Sequence, residues 1–185
     1  MKNIINIIIL FTLCFSLINL NCTDFDQEDS SSATEKEFPD QESWDARMYF
    51  NNNGIRRAVL TAGYVAKYSK KNYTLLKEGV RVEFFDDQGN QKSILTSDEG
   101  KYFDQTQNML ALGNVVLVSK NGSKLYSQEL LWDNKEEKVI SEVPVKITTK
   151  TDTLFGDTFK SDPDLINYEI TNARGTSQQT ISIDD

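Results

Sequence analysis

Leu125-Tyr126-Ser127, answered twenty residues after its leucine by Val145-Lys146-Ile147, decides the fold, because both pieces recur along the chain. Leu60-Thr61-Ala62, Leu95-Thr96-Ser97 and Leu154-Phe155-Gly156 repeat the first piece: Leu, a variable residue, a small residue. Val80 with Val82, and Val115 with Leu117, repeat the second at the same offset. Four copies of one element and three of the other describe one structural unit stacked several times. The leucines lie 35, 30 and 29 residues apart, and the extra length falls in the hairpin between Phe84 and Ser93. A loop absorbs such an insertion without shifting the register of a core. Stacked units bury a shared apolar face and present long surfaces rather than a point-like active site.

Within each unit the residues alternate. Val80-Arg81-Val82-Glu83-Phe84 and Val145-Lys146-Ile147-Thr148 put apolar and polar side chains on opposite faces, the pattern of half-buried strands. Return strands are expected around Leu75, Leu110 and Ile140. Gly79, Gly113-Asn114 and Val143-Pro144 then mark corners before each Val strand. Turn signals punctuate the rest: Asp86-Asp87-Gln88-Gly89-Asn90, Lys120-Asn121-Gly122-Ser123 and Asp133-Asn134-Lys135. Asn121-Gly122 predicts a two-residue type I′ turn with both residues at positive φ. Ala62, Ser97, Ser127 and Gly156 occupy equivalent positions and would let sheets or a ligand approach closely. Short antiparallel strands at this density predict a barrel or jelly roll.

The 185 residues carry 28 acids against 20 bases, a net charge of −8, and no histidine. This balance argues against nucleic-acid binding, which needs clustered Lys and Arg. It also removes the commonest general base and metal ligand. Both cysteines, Cys14 and Cys22, lie near the start, so a domain beyond them holds no disulfide, thiolate metal site or cysteine nucleophile. The acid pairs Asp86-Asp87, Asp98-Glu99 and Glu136-Glu137 read as solvated turn residues rather than catalytic carboxylates, which require partly buried, opposed placement.

The N-terminus has a basic start, an apolar stretch from Ile4 to Leu20, then polar acidic sequence after Cys22. This reads as a secretory signal over residues 1–21. Leu17-Ile18-Asn19-Leu20-Asn21-Cys22 is similar to a lipoprotein cleavage site, with Asn21 and Asn19 in place of the usual residues. Lipidation of Cys22 is expected, with an uncleaved, tilted spanning anchor as the alternative. Residues 22–43 form an acidic, serine-rich linker with little to bury, residues 44–177 the β domain, and residues 178–185 a polar tail.

Leu60-Thr61-Ala62, Gly113-Asn114-Val115, Leu130-Leu131-Trp132-Asp133, Ile140-Ser141, Val143-Pro144-Val145, Gly156-Asp157-Thr158-Phe159 and Asn172-Ala173-Arg174-Gly175 follow one another in an order that resembles the LptC family. This family is the membrane-anchored periplasmic component of lipopolysaccharide export and shares its repeat with LptA. The resemblance runs from about Pro39 to Gly175. It implies a twisted, open, V-shaped antiparallel β-jelly roll without catalytic activity or cofactor. Acyl chains of lipopolysaccharide would lie against Val80, Val82, Phe84, Val115, Leu117, Val145 and Ile147, positions that read from their alternation alone as ordinary core. Trp132, Tyr102 and Tyr64 would stand at the groove mouth or simply pack on their strands. The implied partners are an inner-membrane ABC transporter (LptB/LptF/LptG-like) and an LptA-like periplasmic protein, joined by pairing of sheet edges. The strand Ile166–Thr171, with Tyr168 and Ile170, is expected to be the last of the sheet and one such edge. A lipoprotein scaffold that joins partners through its edges without conducting lipid is the second reading, and a glycan-processing enzyme is the weakest.

Overall fold

The computed structural model describes residues 38–52 and 54–177. The expected signal, Cys22 and most of the expected linker lie outside them. Fourteen antiparallel strands and a single 3₁₀ turn at Ser69–Lys71 make up the regular structure among the described residues. Each sequence unit supplies its strands in the same order. The first unit gives β2 (Ile55–Tyr68), β3 (Tyr73–Lys77) and β4 (Val80–Phe85). The second gives β5 (Gln91–Ser97), β6 (Glu99–Phe103) and β7 (Met109–Ser119). The third gives β8 (Lys124–Asp133), β9 (Lys138–Ser141) and β10 (Val145–Thr148). The fourth gives β11 (Asp152–Gly156), β12 (Phe159–Ser161), β13 (Tyr168–Ile170) and β14 (Arg174–Ser177). Ahead of them, β1 (Gln41–Asn52) pairs along its whole length with β2.

The result is a twisted antiparallel β-jelly roll. One layer holds the Leu and Val strands, and the other holds the return strands. The long strands β1, β2, β7 and β8 run through both layers, so all fourteen belong to one hydrogen-bonded network. The layers face each other across apolar side chains, with Phe84 of one against Trp132 of the other, ring centroids 5.1 Å apart.

The repeat explains the register. Leu60 pairs with Val82, Val82 with Leu95, Leu95 with Leu117, Leu117 with Leu125, Leu125 with Ile147, and Ile147 with Leu154. Met48 extends this inner row at one end and Gly175 at the other. Leu60, Leu117 and Ile147 are fully buried. Within the first three units the Leu and its partner stand 22 residues apart. Only the hairpins joining the units differ, with partners 13, 8 and 7 residues apart. In the fourth unit Leu154 pairs with Gly175, one residue short of that spacing. Side chains alternate faces with period two, so the shortfall turns Arg174 and Thr176 outward and leaves a glycine in the inner row.

Three expectations are corrected. First, strand β1 begins at Gln41, within the stretch expected to be linker. Second, the Asn121-Gly122 hairpin is not type I′, since only Gly122 has positive φ (91°). Gly122 N–H bonds to the Ser119 carbonyl (3.0 Å), and Ser119 N–H to the Ser123 carbonyl (2.9 Å). Asn121 keeps an ordinary backbone and uses its Oδ1 to accept the Ser123 N–H. The Asp86–Asn90 hairpin has the same construction, with Gly89 at φ 80°. Third, Ile166–Thr171 is an end of the sheet as expected, but it is not the last strand and not the one end on its side. It narrows to β13, which ends one layer, and β14 ends the other.

The small residues have distinct uses. Ser97, Ser127 and Ser141 bend the chain between layers. Their hydroxyls donate to the carbonyls of Glu99, Glu129 and Val143, each two residues on, at 2.8–2.9 Å. Gly156 is a close approach: a Cβ there would stand 2.2 Å from Ile170 Cγ1.

Candidate functional site

Between the layers lies a cleft of about 680 Å³. Its inner wall is apolar and aromatic, formed by Phe50, Val82, Phe84, Tyr102, Met109 and Trp132. Each comes from a strand whose alternation points it inward. Phe50 packs on Tyr102 at 5.2 Å between ring centroids, beside the Phe84–Trp132 pair. Burial pushes the Tyr102 hydroxyl above its ordinary pKa. The rim is charged, with Arg57, Asp86, Asp87, Lys92, Glu136, Lys138 and Asp162. An apolar wall below a charged rim suits an amphiphile, with hydrocarbon inside and polar groups at the mouth.

The rim charges are held in place. Arg57 pairs with Asp87, Lys138 with Asp162 at 2.6 Å, and Lys92 with Asp164 at 3.6 Å. Asp86 accepts from the Asn90 side chain (3.0 Å) and from the Asn90 and Gln88 N–H groups. These bonds hold its carboxyl below the usual range. Glu136 pairs with Lys160 at 2.7 Å, and that carboxylate raises the lysine's pKa. Asp98 accepts from the Asn114 side chain at 2.7 Å and Glu99 pairs with Lys77 at 3.5 Å, so these acids too serve a corner and an ion pair, and among the described residues no group of His, Cys, Asp or Glu is placed to hold a metal.

Of the seven expected groove residues, Val82 and Phe84 reach the cleft. Val80, Val115, Leu117, Val145 and Ile147 belong to the same core but do not line the cleft, and all seven side chains are at most 4% exposed. Trp132 and Tyr102 stand at the cleft. Tyr64 does not: it lies against Trp44 (5.7 Å) and hydrogen-bonds Glu42 at the first edge. Phe50 and Met109 were missed, because neither belongs to the Leu or Val elements of the repeat. Tyr168 and Ile170 turn their side chains inward, Tyr168 stacking on Phe159 (5.7 Å). Their backbones face the open side. Thr171 N–H bonds back to the Thr158 carbonyl, and N–H groups alternate along a strand, so those of Tyr168 and Ile170 point away from β12.

β1 pairs only with β2, and β13 only with β12, so strands open to further pairing stand at both ends of the described residues. A stack of like units, closed in the middle and open at both ends, is a repeat jelly roll with unpaired end strands. The chain belongs to the LptC-related family of lipopolysaccharide assembly, whose family model matches residues 7–172. No curated protein matches the chain. Among solved structures it is similar to LptH, the LptA-homologous periplasmic component of the lipopolysaccharide transport device of Pseudomonas aeruginosa. The identity is 15% and the TM-score 0.49, over 61% of this chain and 80% of that one. Among the described residues no helix is long and apolar enough to cross a membrane.

Proposed function

We propose that the chain is the membrane-anchored periplasmic bridge component of a lipopolysaccharide export machine. It takes lipopolysaccharide from an inner-membrane ABC transporter of the LptB/LptF/LptG type and passes it to an LptA-like protein. Residues 1–21 are its signal, and a lipidated Cys22 holds it to the periplasmic face of the inner membrane. It has no catalytic role and requires no cofactor. The observation that carries this reading is the aromatic cleft with a charged rim, set in a chain of the LptC-related family. Acyl chains enter at Val82 and Phe84, and the strand edges join the neighbouring jelly rolls by β-augmentation.

One observation favours the second reading, a scaffold that conducts no lipid: all seven groove positions are at most 4% exposed, and five of them do not line the cleft. Photoreactive residues at Val82 and Phe84, in cells making lipopolysaccharide, separate the two. Adducts with lipopolysaccharide well above those at exposed Lys120 are expected. Equal labelling at all three positions leaves the scaffold.

A further inference from the structure

The outer face of the Leu/Val layer has a charge opposite to that of the chain. Its central row runs Arg47, Thr61, Arg81, Thr96, Val116, Tyr126, Lys146, Phe155, Arg174, each paired with the next across a strand boundary. The adjacent row runs Tyr49, Val59, Glu83, Ile94, Val118, Lys124, Thr148, Thr153, Thr176. These two rows hold five cations and one acid, in a chain of net charge −8. Eight steps of about 4.8 Å make the strip roughly 38 Å long.

Part of this charge is already matched. Arg81 bonds Glu83 at 3.1 Å, and Arg174 bonds Asp157 at 3.2 Å. Arg47, Lys124 and Lys146 form no ion pair among the described residues. Lys146 lies between two rings instead, 5.7 Å from the Tyr126 centroid and 5.9 Å from that of Phe155. Those rings are 36% and 44% exposed. Large aromatics left open on a sheet face, alternating with cations, suit a surface that is apolar and anionic at once.

We infer that this strip docks on an anionic lipid bilayer. Tyr126 and Phe155 enter the headgroup layer and Lys146, Lys124 and Arg47 meet lipid phosphates. The inference rests on the proposed anchoring at Cys22. Sixteen residues, 22–37, separate that anchor from the described domain. They reach at most about 56 Å when extended, which bounds the distance of the domain's first strand from such an anchor. A tether of this length turns docking into an intramolecular event, and a strip too weak to bind alone is then sufficient.

The test uses the full chain, processed in cells and reconstituted in phosphatidylethanolamine vesicles with or without phosphatidylglycerol. A photo-crosslinking residue replaces Phe155 or Tyr126, with Leu131 on the other layer's outer face as control. Phospholipid adducts are expected at 155 and 126, several-fold above 131, and only with phosphatidylglycerol. Lys146→Glu should lower them about fivefold or more, as follows from about 1 kcal/mol per basic side chain at an anionic surface. Equal adducts at all three positions overturn the inference, as do adducts to residues 24–37, which would place the chain's own acidic tether on the strip. Intact mass reads the anchoring separately. If Cys22 is unmodified, the chain is coupled to the vesicles through a maleimide lipid at Cys22, and the same adducts at 155 and 126 still support docking while their absence overturns it.

Discussion

The middle of the stack and its two ends are made from the same unit and have opposite properties. In the middle, Leu95, Leu117 and Leu125 have a repeat strand on each side and are buried to 1% or less. At the ends the same row finishes in Met48, half-buried, and in Gly175, which has no side chain to bury. The first end is a single twelve-residue strand with Trp44 and Tyr49 exposed on it. The other end is divided between β13 and β14, of three and four residues. A unit is therefore stabilised by its neighbours more than by itself, and the terminal units keep backbone groups available for pairing.

The largest expected effect is at the centre. Leu117→Asp places a carboxylate where no solvent or partner reaches, at a cost of several kcal/mol if it stays ionised. The domain should lose its β-type circular dichroism. Leu117→Ala should cost about 2–5 kcal/mol in urea unfolding, and Met48→Ala at the edge clearly less. Equal losses for the two alanine variants would break the contrast between middle and end.

Next comes Ile170→Pro. It removes an N–H that faces the open side while leaving the β12 ladder intact. The domain should keep its circular dichroism, and capture of an LptA-like partner should fail. Normal capture would move the junction to another edge. A smaller loss is expected from Ser141→Ala. Its hydroxyl serves the Glu129 and Val143 carbonyls at 2.9 Å and meets Ser127 Oγ at 3.0 Å. Removal should cost about 1–3 kcal/mol, read as a lowered urea midpoint with unchanged slope.

The smallest effect is at the first edge. Tyr64 donates to Glu42, and that bond pushes its hydroxyl up to about 12 from an ordinary 10. A raised folded value means the stabilisation is complete below pH 10 and is lost as the pH rises through about 12. Absorbance at 295 nm should show one tyrosine titrating late. Glu42→Gln should return it toward 10, and an unchanged titration would show that β1 is not held at this point.

The sequence revealed the inner row, because a leucine, a small residue and an aliphatic at fixed offsets are what stacked strands must bury. It revealed the corners for a similar reason, since Gly113-Asn114 and Pro144 disrupt a straight ladder. The last strand stayed hidden: a one-residue deletion put Arg174 where the pattern required an aliphatic, and only the ladder shows Gly175 in that place. Strand β1 was partly concealed, because Gln41-Glu42-Ser43 has the composition of a linker and its pairing with Lys67, Ala66 and Val65 is non-local. The cleft is a property of two layers at once. Val82 and Ile147 have the same alternation and the same burial, and only their position along the stack separates a cleft-lining residue from a core residue.

The constant offset within the first three units makes the protein a ruler. Each unit adds two positions to the inner row, about 10 Å of sheet at ordinary strand spacing, whatever the length of its hairpins. A lineage that gained or lost one unit would change the span in steps of that size without redesigning either end. The length of sheet such a chain presents is thus counted in whole repeats, in the way a ladder is lengthened by rungs.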